Sequence, residues 1–254
     1  MSNEVTVKQE GAIVAQEQLA EWGVGQNLSS KDVVIPKILP MQGLSQLVAD
    51  GKANMGEFRD SIDGKLIGSI DKPFSILPFH VEKVWDIKEE QADGSYKYAR
   101  SIPIVENPLS PGYNDNLSWE GEENGLKVNR VRRMNFYVLL PNEIEEGTSI
   151  PYILSFKSTS IKEGKKLYTQ MYVRNLRAQL PPPGYIIEVG GQRVKNDKGT
   201  FIVPTVKPLA KASADQIGEA LSWFKMVKKG AVKVDDSDLH TDTTDAVDVE
   251  SSEF

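Results

Sequence analysis

The stretch KVNRVRRMNFYVLLP, residues 127–141, sets the terms for the rest of the chain. Read at period two, it places Met134, Phe136, Val138 and Leu140 on one side and Val131, Arg133, Asn135 and Tyr137 on the other. Alternation sustained this far predicts a long strand with one face on a core. Such a strand needs neighbours, and the flanking sequence supplies them. KPFSILPFHVEKVWDI at 72–87 predicts a strand with Leu77, Phe79, Val81 and Trp85 largely on one face, and ADGSYKYARSIPIV at 92–105 predicts its return after an Asp-Gly turn. In IPYILSFKSTS, from residue 150, Tyr152, Leu154 and Phe156 fall together, with Ser155, Lys157 and Thr159 opposite. This strand is expected close to 127–141. GYIIEV and TFIVPTV flank a turn at 196–199. Upstream, Pro36, Pro40, Gly51, Gly56, Gly64 and Gly68 cut the chain into short strands and turns, with a hairpin around 62–64.

Two helices interrupt this pattern. One is expected over 163–180, on the spacing of Leu167, Met171, Val173, Leu176 and Leu180, and PPPG stops it. The other begins at a capping box of Ser213 with Gln216, carries Ile217, Ala220, Leu221 and Phe224 on one face, and ends at Gly230. Residues 106–126, rich in Pro, Gly, Asn and acids, predict a long loop. The order reads as mainly β, a β-rich α+β chain. It suits an antiparallel barrel of the oligonucleotide-binding type with one inserted helix and a C-terminal helix. Other α+β sheets suit it almost as well.

Length and composition predict one domain over 31–230, between a polar, flexible arm at 1–30 and a disordered acidic tail at 231–254. A short helical candidate lies within the arm at 12–22. The net charge of -6 averages unlike parts. Residues 231–254 hold one lysine and eight acids, a net of -7, whereas 125–211 hold fifteen Lys and Arg against six acids, a net of +9. A basic block followed by an acidic tail points to a polyanionic partner, with the tail as its competitor; a solvated face with a solubility tail is the plainer alternative.

Several chemistries have no carrier here. The 254 residues contain no cysteine, which excludes disulfides, a thiolate nucleophile and a cysteine zinc site. His80 and His240 are the only histidines, too few for a histidine metal cluster. Neither a P-loop nor a G-x-G-x-x-G motif is present, and no cofactor or metal is expected. No apolar run is long enough to span a bilayer, so a soluble cytoplasmic protein is expected, without a membrane partner. One enzymatic pattern remains: Asp86 with Lys88, or Glu163 with Lys165, as a magnesium-dependent nuclease pair. Acid-x-Lys triplets are common, and the expectation is of a protein that is not an enzyme.

The residues suited to nucleic acid are more numerous. Arg130, Arg132, Arg133 and Tyr137 on the strand offer guanidinium groups and a ring, which clamp phosphates and stack unpaired bases. Lys157, Lys162, Lys165 and Lys166 offer donors for a backbone. On the following helix Tyr168 and Tyr172 are four apart, and Arg174 and Arg177 three apart, so each pair projects together. Tyrosines so spaced also serve simply as core residues with hydroxyls at the rim. Rings interleaved with cations favour a single strand over a duplex.

IPKILPMQGLSQLVADGKANMGEFRDSIDGKLIG at 35–68, RRMNFYVLLPNE and IPYILSFKSTSIKEGKKLY together resemble bacteriophage and prophage single-stranded DNA-binding proteins of the oligonucleotide-binding-fold type. The resemblance, over about residues 33–180, implies a protein that coats exposed DNA in replication and recombination. The ending is similar to the acidic, aromatic-terminated tails of such proteins, which implies that Asp248, Glu250, Glu253 and Phe254 engage replication or recombination proteins. Self-association as a homo-oligomer is left open. So is a phage structural or scaffolding role for the basic face.

Overall fold

The computed structural model describes residues 34–196 and 199–228. Two long strands form its spine. β4 (Phe74–Glu90) and β7 (Leu126–Leu139) pair antiparallel from Leu77 opposite Leu139 to Glu89 opposite Val128. β8 (Tyr152–Lys157) and the short β6 (Glu120–Glu123) take the other edge of β7. β4 is shared in the same way: β9 (Tyr185–Asn196) pairs with its first residues and β5 (Tyr96–Pro103) with its last. β10 (Gly199–Lys211) closes the hairpin with β9.

A second sheet of β1 (Ile38–Pro40), β2 (Glu57–Asp60) and β3 (Leu66–Ser69), with the short α1 (Gln46–Ala49) between its first strands, spans the gap from β8 to β10. On one side Lys37 bridges Ile153, whose N–H donates to the Pro36 carbonyl at 2.9 Å. On the other, the Gln42 side-chain amide acts as a missing strand residue. It donates to the Ile202 carbonyl at 3.0 Å and accepts from the Ile202 N–H at 2.7 Å. The curved sheet is thus completed by a bridge and a single side chain rather than by a continuous ladder. Inside lie Phe58, Ile76, Phe136, Leu154, Phe156 and Val189, all essentially sealed from water. Phe136 and Phe156 meet edge to face, a favoured aromatic geometry.

α3 (Ile161–Thr169) plugs one end of this core with Leu167 and, from the π-helical turn Gln170–Arg174, Met171. A three-residue α4 (Asn175–Arg177) ends the run. The expected stripe over 163–180 therefore holds only in part: Leu167 and Met171 are buried, whereas Val173 and Leu176 are exposed, Leu176 at 78%. At 100° per residue Val173 and Leu176 fall opposite Leu167, and the wider i→i+5 turn does not bring them back. α5 (Ala214–Lys228) starts on the expected capping box: Ser213 N–H donates to Gln216 Oε1 and Gln216 N–H to Ser213 Oγ. It packs Ala220, Trp223, Phe224 and Val227 on the outside of the spine, against Leu77, Phe79, Tyr137, Leu139 and Ile153. α2 (Pro141–Glu145) follows β7, with Ile144 against the same cluster.

The mainly β, antiparallel expectation holds, with three local corrections. β7 is buried on both faces near its end, because α5 covers the side that carries Tyr137. A bulge between Pro78 and His80 in β4 shifts the alternation, so that Leu77 and Phe79 lie outside under α5 while Val81 and Trp85 lie on the inner side. Finally, 106–126 is not all loop, since β6 forms within it.

Candidate nucleic-acid interface

Period two predicts a polar face on β7 and β8, and the register produces one: Arg133 lies opposite Lys157, and Asn135 opposite Ser155, whose hydroxyl donates to Asn135 Oδ1 at 2.7 Å. The face is not open, however. Arg133 and Tyr137 are each 2% exposed. Arg133 reaches Asp86 at 2.9 Å and donates to Ser101 Oγ at 3.1 Å, and that hydroxyl donates to Asp86. Tyr137 packs between Phe79 and His80 and donates its hydroxyl to Glu82 at 2.8 Å. Burial raises the Glu82 carboxyl, but hydrogen bonds from His80 and Tyr137, with the charges of His80 and Arg133, outweigh it and hold the group below its ordinary value. The expectation of an open face at Arg133 and Tyr137 is corrected: both are buried and engaged in packing and ion pairing.

Arg130 and Arg132 point to the inner side of the arm formed by β5 and the paired far ends of β4 and β7. Arg130 is buried and forks onto Glu123 across Gly121, where any β-carbon would lie 2.3 Å from the guanidinium. Arg132 pairs with Asp115 and lies 3.4 Å from Glu106, its guanidinium 5.7 Å from the Trp85 ring centre. Acids of 106–123 thus take up Arg130 and Arg132.

The lysines around α3 are differently placed. Lys157, Lys162, Lys165 and Lys166 are all exposed. Lys162, Lys165 and Lys166 line a shallow depression of about 370 Å³ with Thr169, Gln170 and Val206. The hydrophobic positions of α3 dictate this arrangement, since burying Leu167 and Gly164 against Phe156 turns residues 162, 165, 166 and 169 outward together. Glu163 ties the helix to the strand beside it: one oxygen pairs with Lys166 and the other accepts the Val206 N–H at 3.3 Å. Among the described residues Lys162 and Lys165 make no ion pair.

Tyr168 and Tyr172 do project together. Their rings lie 4.7 Å apart at the rim of the core, half-buried, and burial, helped by Tyr168, raises the Tyr172 hydroxyl above its ordinary value. Lys83 Nζ sits 4.1 Å over the Tyr168 ring. Arg174 and Arg177 are exposed on the next turns, Arg174 stacked 4.5 Å from the centre of the Tyr185 ring. Sequence reasoning missed Lys83. Its signal was a lysine between Val81 and Trp85 on a face otherwise apolar, where the charge needs a ring or an acid to rest against.

The acids of the two acid-x-Lys triplets are both engaged within the fold. Asp86 is bound to Arg133 on the opposite face of the same strands, Glu163 is bound to Lys166 and Val206, and among the described residues no three acidic or histidine side chains gather as metal ligands. The arm at 1–30, and Asp248, Glu250, Glu253 and Phe254 in the tail, lie outside the described residues.

A family model described as Pam3 phage gp34-like protein matches residues 7–233. The chain belongs to the Pam3 phage gp34-like family. It is therefore a phage protein, and the match covers the whole described fold. No curated protein and no solved structure matches it. Among the described residues of this gp34-like chain, no helix is long and apolar enough to cross a membrane.

Proposed function

We propose that this phage protein binds single-stranded DNA with little regard to sequence, without cutting it, and protects exposed strands during replication or recombination. One observation carries the reading: the exposed row of Lys162, Lys165 and Lys166 runs beside the paired rings of Tyr168 and Tyr172. Lysines along a groove neutralise a phosphate backbone, and rings at its rim offer π-faces that any base can stack on. The depression is open rather than deep, which suits a strand passing across it better than a small ligand enclosed by it. Lys157 and the two arginines Arg174 and Arg177 extend the positive surface at either end of the helical run.

The reading is tested by titrating a labelled single-stranded oligonucleotide and its duplex with the full chain over a range of salt. Single strands should bind more tightly, with a log–log salt slope that weakens by about 0.7 for each phosphate that Lys162→Ala or Lys165→Ala leaves unneutralised. Equal affinity for duplex and single strand at moderate salt would remove the proposal. The same DNA incubated with Mg²⁺ should stay intact; cleavage abolished by Asp86→Ala or Glu163→Ala would establish a nuclease instead.

A further inference from the structure

The inner side of the β4–β5–β7 arm holds a second set of cations, and the chain's own acids cover them. Lys83 Nζ lies 2.8 Å from both oxygens of Glu106. Arg132 lies 3.4 Å from Glu106 and pairs with Asp115. Beneath them are two rings, Tyr168 under Lys83 and Trp85 under Arg132. A carboxylate bridging a lysine and an arginine above aromatic rings reproduces what a phosphate of a stacked single strand would do. Tyr168 also belongs to the α3 surface, so this covered patch and the open lysine groove share a ring.

The covering segment is fixed independently of its acids. Trp85 Nε1 donates to the Asn114 carbonyl at 3.0 Å, and the Asn114 side chain donates to the Pro103 carbonyl at 2.9 Å and accepts the Val105 N–H at 2.8 Å. Leu117 packs on the Trp85–Ile87–Val128 cluster. The carboxylates of Glu106 and Asp115 can therefore swing away while the backbone stays in place. The Glu106 side chain is 46% exposed and that of Asp115, half-buried, 30%; ion pairs this accessible to water hold little free energy, so a phosphate can displace them.

We propose that Glu106 and Asp115 are built-in competitors for the strand's backbone, and that Lys83 and Arg132 beneath them form a second phosphate subsite reached from the α3 groove across Tyr168. This rests on the single-strand reading above. The subsite sets how much of the strand is held: DNA first engages the open lysines, then exchanges with the two carboxylates as more of it is laid down. The exchange also makes affinity for short strands lower than the number of cations suggests.

The test is a salt-titrated anisotropy measurement with labelled oligothymidylate on the full chain carrying Glu106→Gln and Asp115→Asn. Affinity at moderate salt should rise about tenfold, and the log–log salt slope should steepen by about 1.4, the value for two additional phosphates. Adding Lys83→Met to that chain should remove about half of the steepening. Glu120→Gln with Glu122→Gln, on exposed positions of β6, changes the net charge equally and should leave the slope as it was. An unchanged slope in the first variant, or the same gain in the β6 control, overturns the subsite. Asp115→Asn alone keeps the Asn114 anchor and should steepen the slope by about 0.7, which preserves the test if the double variant fails to fold. A wild-type chain that binds oligothymidylate while every variant matches it removes this inference alone; a wild-type chain that does not bind removes the functional reading as well.

Discussion

Arg133 illustrates how a residue suited by type to bind phosphate can be spent on the fold. Its guanidinium is sealed against Asp86 and Ser101, so Arg133→Ala removes one member of a buried ion pair. Loss of one partner of such a pair costs about 3–5 kcal/mol. Urea denaturation should show a loss of that size, whereas oligonucleotide affinity of the chain that remains folded should change little. Glu82 adds a pH dependence. Its folded carboxyl is held below the ordinary value of 4.5, so the stability it contributes is complete above that value and is lost as pH falls through the lower folded value. In Glu82→Gln this acid-sensitive part should be absent, and the urea midpoints of the two proteins should converge as pH drops below about 4.5. At this scale the sequence showed which side chains were charged but not which were paired. Arg130, Arg132 and Arg133 meet acids from β6, the 106–119 segment and β4, partners that only the folded register brings together. The lysines of α3 stayed legible because a helix that buries Leu167 must turn them outward.

Most elements were legible because each carries its own local signal. The Asp-Gly turn at 93–94, the alternation in β7 and the capping box of α5 all specify structure within a few residues. What local signals could not give was which face of a strand another element covers. FYVLLP at 136–141 is a continuous apolar run, and such runs mark strands buried on both sides. Reading Tyr137 as the edge of a polar face overlooked α5, more than seventy residues later in the chain. The seat of α3 is equally dependent on its surroundings. A β-carbon at Gly164 would lie 2.8 Å from Phe156 Cβ and 3.4 Å from Met134 Sδ. Alanine in a helix is ordinarily better than glycine by about 1 kcal/mol. Here Gly164→Ala should instead destabilise the protein by about 1–3 kcal/mol, since α3 must lift away from β8. Calorimetry gives the sign. Because the lysines and the tyrosine pair ride on the same helix, DNA affinity should fall with it.

For the molecule as a whole, charge is divided between a basic central block and a strongly acidic end. A chain ending at Gly230 loses a net of -7 and should bind labelled single strands more tightly, with the largest difference at low salt, where screening is weakest. Phe254→Ala should leave DNA affinity unchanged, because a single ring removed from the end alters none of that charge. If both sets of acids compete as proposed, Glu106 and Asp115 do so at fixed positions on the arm, and the truncation at Gly230 reports the contribution of net charge alone.

The amide of Gln42 that ties the small sheet to β10 has a consequence in time. It grips Ile202, a residue 160 positions later in the chain. On a ribosome, β1, β2 and β3 emerge long before the strand they must meet, and the inner face of β7 and β8 waits with them. Contacts of such separation are slow to form, since the loop they close must be ordered before any contact stabilises it. The last strand to be made is therefore the one that seals the core, and a chain released before β10 would expose Phe58, Phe136 and Phe156 to chaperones and to other unfinished copies of itself.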